Sequence, residues 1–385
     1  MKLPTVLLLS ALLTACASVP PPAATAPLSL FHDELFGGPS ERADASSIFA
    51  LDDQMRQFLQ HEITEKARKH GAQMGLLEAL YDTRQLKLSY DAGTTRNAAQ
   101  AFHARAGNCL SLVIMTAAFA KELGLPVRYQ SVYSELLWSR SGGVYFASGH
   151  VNVVLGTRLR DLRNSYPPVQ PMLIDFLPPS ELTGQRTREI GEVTIGAMYM
   201  NNKAGEALAR GRLDDAYAWA REAVRQDPDF LAAQNTLGVV YHHARHAAEA
   251  QAVFLQLLAR EPSNAHALSN LALVYESEGH SALAQALRQR LAAVEPDSPF
   301  GLFSLGMAAM ERGEYSVARD YFARQVDRAP DNHEFHFWLA MANARLGDLA
   351  QTRKHLALAM ETSHTARDHD VYAAKLAHLR ASGLQ

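Results

Sequence analysis

Pro228, Pro262, Pro296 and Pro330 stand 34 residues apart, and Ala216, Ala250, Ala284 and Ala318 keep the same interval. A period of this length calls for stacked units, each burying its apolar face against its neighbours. Small residues let the two helices of a unit approach, and the proline ends the unit. Leu237, Gly238, Tyr241, Ala250, Phe254 and Pro262 mark the clearest unit. Leu271, Ala272, Tyr275, Ala284 and Pro296 repeat it, as do Leu305, Gly306, Ala318, Phe322 and Pro330. A further unit starts at His333 with Leu339-Ala340, but Thr352 replaces its small alanine. The spacing predicts an all-α solenoid of about five units over 197–366, with a capping helix and tail over 367–385.

The positions of these leucine, small, aromatic and proline residues resemble the tetratricopeptide repeat (TPR). The resemblance implies a concave face that binds a protein or peptide partner.

The chain has 385 residues, enough for two or three domains. Its formal charge is -3, with basic and acidic residues interspersed, so no nucleic-acid partner is expected. With only two cysteines, a disulfide framework and a thiolate zinc site are both excluded. His242, His243 and His246 have no acid or cysteine cluster beside them and read as a solvated helical face rather than a metal site. No cofactor is expected. No apolar run after the first fifteen residues is long enough to span a bilayer.

The amino terminus has a short basic start, Met1-Lys2, then an apolar core from Leu3 to Leu13. Leu13-Thr-Ala-Cys16 resembles the lipobox of bacterial lipoprotein signals. The resemblance implies removal of residues 1–15 and lipidation of Cys16, with membrane attachment through acyl chains. Ala17 follows the cysteine in place of aspartate, which by the same resemblance favours the outer membrane of the bacterial cell envelope, facing the periplasm. Ala17 to about Pro27 is rich in Pro, Ala and Ser, and a flexible tether is expected over 16–45.

Between tether and array, residues 46–190 read as an α+β domain: helices first, antiparallel strands second. Ile48, Leu51, Met55 and Phe58 recur near helical spacing, with Asp52 as a possible cap, and Leu76, Leu77 and Leu80 continue the pattern. Thr94 or Thr95 can cap a helix over 96–104 that ends at Gly107. Asn108 is a good N-cap for a helix from Cys109 to Leu123. Its Leu110, Val113, Ile114 and Ala117 form one apolar stripe, and Gly124 and Pro126 stop it. Val127 to Val132, Gly149 to Leu155 and Pro171 to Phe176 then read as strands, with His150, Asn152 and Val154 on one face of the second.

If Cys16 is processed, Cys109 is the only free thiol. A helix start favours a thiolate through its unpaired N–H groups and dipole. A nearby histidine can form the ion pair and then protonate a leaving amine. A third polar group holds the imidazole. His150 and Asp175 supply these, since an acid inside an apolar strand needs a partner. The Cys109 N–H could hold an oxyanion, with Asn108 or Gln130 as supporting donors.

Phe102, Arg105-Ala-Gly-Asn-Cys109, the helix ending Glu122-Leu-Gly-Leu-Pro-Val-Arg128, Gly149-His150 and Leu173-Ile-Asp175 together resemble the core of the transglutaminase-like superfamily, over roughly residues 90–180. The resemblance implies a papain-like thiol mechanism on amide bonds: Cys109 as nucleophile, His150 as acid/base and Asp175 as its orienter. Leu110-Ser-Leu112 and His150-Val-Asn152 depart from the commoner family residues at these places. The expected function is thus a cysteine protease, amidase or acyl transferase joined to a partner-binding array. The alternative is an inactive scaffold that acts through its repeats alone.

Overall fold

The computed structural model describes residues 30–381 except 42, 82–85, 87, 92, 134–137, 142–143, 148–149, 158–169, 177–185, 295–298 and 364–365. Cys16, the expected signal segment and the 17–27 stretch lie outside the described residues. The helices α1 (Asp53–Phe58), α2 (Thr64–His70) and α3 (Ala72–Tyr81) come first, with a π turn, Leu59–Ile63, between the first two. Asp52 caps α1 by accepting from the Met55 N–H. Met55, Ile63, Leu76 and Leu80 are fully buried.

After β1 (Ser89–Tyr90) comes α4, Ala98–Ala104. Neither Thr94 nor Thr95 caps it. Asn97 does, in a reciprocal capping box with Gln100, so the helix starts two residues later than expected. Arg105, at φ 51°, ends α4 in the left-handed conformation, a place expected of Gly107. Gly107 has a different duty: a Cβ there would lie 2.7 Å from the Ser111 Cβ, so only glycine lets the two segments approach. It lies in β2 (Ala106–Gly107), which pairs parallel with β1.

The helix α5, Cys109–Glu122, has Asn108 as its N-cap, as its sequence implies. The expected single apolar stripe is corrected: every residue from Cys109 to Ala120 is buried. No charged residue occurs between Cys109 and Ala120, and a helix apolar all round belongs in a core. One side of α5 packs on α4, another on β6.

The strands are β3 (Val127–Tyr133), β4 (Trp138–Ser141), β5 (Val144–Ala147), β6 (His150–Leu155), β7 (Met172–Ile174) and β8 (Arg186–Ile190). Four form one antiparallel sheet in the order β7-β6-β3-β8, while β4 and β5 pair with each other.

Helical hairpins follow: α6 (Glu192–Ala209) with α7 (Leu213–Gln226), α8 (Leu231–His243) with α9 (Ala247–Arg260), and α10 (Ala265–Ser277) with α11 (Ser281–Val294). Then come α12 (Pro299–Glu311) with α13 (Tyr315–Arg328), α14 (His333–Arg345) with α15 (Leu349–Glu361), and α16 (Ala366–Ala381). The in-phase Ala216, Ala250, Ala284 and Ala318 are all fully buried. Gly238 and Gly306 lie under the rings of Phe254 and Phe322, where an added Cβ would sit 2.7 and 2.6 Å from ring carbons. Thr352 takes the alanine place of the fifth unit by donating its buried hydroxyl to the Asp348 carbonyl of its own helix.

Residues 30–41 are docked on the array, which corrects the tether expected over 16–45 for this stretch. Tyr241 donates to the Leu30 carbonyl, and the His32 N–H donates to Tyr217 and Tyr241. Phe36 stacks on Tyr217 at 4.0 Å between ring centres and 4° between planes. Asp33 accepts from Arg221 and Tyr217; Ser40 donates twice to Asp215. The strap thus meets a belt of polar groups along α7 and α8 with its own backbone and side chains. One apolar core runs without a break from Leu30 through α5 and the sheet to Leu291 of α11.

Candidate thiol site at the head of helix α5

Cys109 is the first residue of α5, and its thiol is free and buried. Asn108 before it has extended backbone, φ -74° and ψ 174°, which turns the chain into the helix. The Asn108 side chain is held at both ends. Its Oδ1 accepts from the Ser111 N–H at 2.9 Å and the Ser111 hydroxyl at 2.8 Å, and its Nδ2 donates to Thr95 Oγ1 at 2.9 Å. In this arrangement Asn108 is the N-cap of α5. The Cys109 N–H occupies the first turn, where no carbonyl of the helix can accept it.

His150 opens β6 and has no exposed surface. β7 pairs with β6 through Val153–Ile174, so the next residue, Asp175, comes opposite Asn152. His150 Nε2 lies 2.7 and 2.9 Å from the two Asp175 carboxylate oxygens. Asn152 Nδ2 donates to Asp175 Oδ2 at 3.2 Å. The Asp175 side chain is 5% exposed, so this carboxylate has left water for these two partners. Tyr81 donates to the Asp175 carbonyl at 3.4 Å and stacks on Phe176. Gln130 stands opposite Asn152 on β3, two pairs along from Val132–His150.

With Nε2 held by Asp175, the other ring nitrogen is the one available to the thiol. His150 Nδ1 is buried and makes no hydrogen bond of ordinary geometry. Burial by itself lowers the imidazole's affinity for a proton. Asp175, then Cys109, overcome it and hold the pKa at about 9. The folded chain therefore holds a proton on His150 that the unfolded chain releases near 6.5. For the imidazole alone, the resulting stabilisation is complete below pH 6.5 and is lost as the pH rises through 9. A thiolate on Cys109 would offset it, because the unfolded chain keeps that proton on sulfur.

Asn152 escaped sequence reasoning as a functional residue, although it shares His150's face of the strand. The signal available was its place two residues after the histidine and its polarity in an otherwise apolar strand. Among the described residues, no group of three His, Cys, Asp or Glu could hold a metal ion. Of the three clustered histidines, His246 packs edge-on against Phe36, and His243 is exposed.

A family model of the tetratricopeptide repeat matches residues 303–359. The matched stretch, α12 to α15, carries the tetratricopeptide repeat at the carboxy-terminal end of the chain. Among solved structures, TTC0263, a thermophilic TPR protein of Thermus thermophilus, is 20% identical over 47% of this chain and 98% of its own, with a TM-score of 0.39. YrrB, a TPR protein with an unusual peptide-binding site, is 20% identical over 47% of this chain and 92% of its own, with a TM-score of 0.29. MamA of Desulfovibrio magneticus RS-1 is 20% identical over 45% and 96%, also at 0.29. No curated protein matches the chain. Among the described residues no helix is long and apolar enough to cross a membrane.

Proposed function

We propose that the TPR array binds a protein or peptide partner and that Cys109, His150 and Asp175 form a papain-like thiol site acting on amide bonds of that partner. The observation that carries the second half is the His150 ring. Its Nε2 is fixed by Asp175, and its Nδ1 is buried, unbonded and acted on by Cys109. The resemblance of residues 90–180 to the transglutaminase-like superfamily supports the same roles.

In the proposed step, the Cys109 thiolate attacks an amide carbonyl carbon and forms the C–S bond. The carbonyl electron pair moves to oxygen, where the Cys109 N–H at the helix head donates to it. When the C–N bond breaks, the nitrogen takes a proton from His150 Nδ1 and leaves as an amine. Neutral Nδ1 then takes a proton from water or an incoming amine, which attacks the thioester and restores the thiolate. Asp175, steadied by Asn152, keeps the ring's Nδ1 edge toward the sulfur throughout.

The test is labelling of the purified chain with a thiol-directed electrophile, then identification of trapped acyl adducts. Wild type should label at Cys109 and Cys109→Ala should not. Equal labelling of the two would rule the nucleophile out. The second reading, an adaptor that uses only its repeats, is favoured by the match of the TPR family model to 303–359 and by burial of the thiol. That reading predicts no acyl adduct and intact partner capture by Cys109→Ala.

The lipobox-like Leu13-Thr-Ala-Cys16 leads us to place the protein at the outer membrane of a bacterial envelope, held by lipid on Cys16. Incorporation of labelled palmitate in wild type, and its absence in Cys16→Ala, is the expected result; equal incorporation would end this placement.

A further inference from the structure

Thr95 links the array to the thiol domain through hydrogen bonds on both sides. It lies in the loop before α4 and is 2% exposed. Its N–H donates to Glu206 Oε1 at 2.6 Å, and its hydroxyl oxygen accepts from Asn202 Nδ2 at 3.2 Å. Both partners belong to α6, the first helix of the array. The same hydroxyl oxygen accepts from Asn108 Nδ2. Asn108 Oδ1 in turn holds the Ser111 N–H and hydroxyl, and Ser111 Oγ accepts the Arg96 N–H at 2.8 Å. The circuit therefore runs from α6 through Thr95 and Asn108 into the first turn of α5. Thr95 is not needed to cap α4, because Asn97 and Gln100 do so. Apolar packing continues across the same junction, where Ile195, Met198 and Tyr199 of α6 share a core with α5.

We propose that the array's first helix positions the thiol. Asn202 and Glu206, acting through Thr95 and Asn108, set the height of the first turn of α5, and with it the gap between Cys109 Sγ and His150 Nδ1. The inference rests on the thiol reading above. Thr95, Asn202 and Glu206 are positioning residues: they act on the reacting pair through Asn108 and the helix head. Two domains that merely adjoined could be satisfied by apolar contact. Here a buried hydroxyl is shared between donors from both, so a shift of α6 is transmitted to the cap. A misplacement of about 1 Å between reacting groups can cost on the order of a hundredfold in rate.

The experiment is the rate of alkylation of Cys109 in the full chain by iodoacetamide, measured from pH 5 to 10, with thermal unfolding in parallel. Thr95→Val keeps the shape and removes the acceptor. It should slow alkylation at pH 7 by about tenfold or more and move the pH profile toward that of an ordinary thiol. Thr95→Ser, which restores the hydroxyl, should stay within about twofold of wild type. Asn202→Ala changes the array side alone and should slow the reaction by about threefold. It decides the matter if Thr95→Val does not fold. If wild type reacts in a His150-dependent way while Thr95→Val and Asn202→Ala both match its rate and profile, the positioning role is overturned and the thiol reading stands. If wild type itself reacts like an ordinary thiol and His150→Gln changes nothing, the thiol reading has failed and this inference falls with it.

Discussion

His150→Gln will slow alkylation of Cys109 at pH 7 by about tenfold to thirtyfold. An ordinary cysteine is only a few per cent ionised at neutral pH, and the thiolate is the reacting species. In wild type, a proton on His150 is retained up to about pH 9, because the ring is clamped by Asp175 and acted on by Cys109. Glutamine removes that cation while leaving a polar side chain to meet Asp175 and Asn152. The variant's rate should then climb with pH as for a free thiol, while the wild-type rate stays flat through neutrality. Asp175→Asn should fall between the two, since the imidazole remains but loses the carboxylate that raises its affinity for a proton. On an amide substrate the loss should be larger, about a hundredfold or more, because the leaving amine also loses its proton donor. Superimposable wild-type and His150→Gln profiles would sink the ion-pair account.

Phe254→Ala will cost about 3–5 kcal/mol of stability, the largest effect expected from any single change in the array. The ring is fully buried and its edge lies directly over Gly238. Removing it leaves a cavity that helices held on both sides by neighbouring units cannot close. The converse change is also harmful: Gly238→Ala would place a Cβ 2.7 Å from the ring and overpack the joint, at about 1–3 kcal/mol. The two sites share one volume, so their effects should not add. Gly238→Ala combined with Phe254→Leu should be more stable than the sum of the single variants implies, by about 1 kcal/mol in chemical denaturation. Strict additivity would mean that the glycine and the ring do not interlock.

The array could be read from the chain because each unit repeats the same local demands. A small residue is needed where helices touch, and a proline where they stop. Asn108 was readable for a related reason, since capping is settled within four residues. The closeness of His150 and Asp175 could be anticipated from the cost of burying a lone acid. The residues that escaped notice take their roles from distant parts of the chain. Nothing local marks Thr95 as more than a possible cap, and only α6 gives it another task. Asn152 looks like a departure from a motif until β7 brings Asp175 opposite it. Helix α5 has a stripe by period but no polar side, and its surroundings on several sides come from α4, the sheet and α6. The chemistry of the thiol itself lies in a sulfur–nitrogen gap that no spacing in a sequence measures.

The strap over 30–41 sets the route by which force travels. Tension applied at Leu30 enters the array before anything else, through the ring stack of Phe36 on Tyr217 and the pairing of Asp33 with Arg221. These contacts lie side by side along the strap and share a pull in shear. The strap thus works like the clamp on a cable: drag on the amino terminus is taken up first by α7 and α8, before it reaches the chain that leads into α1.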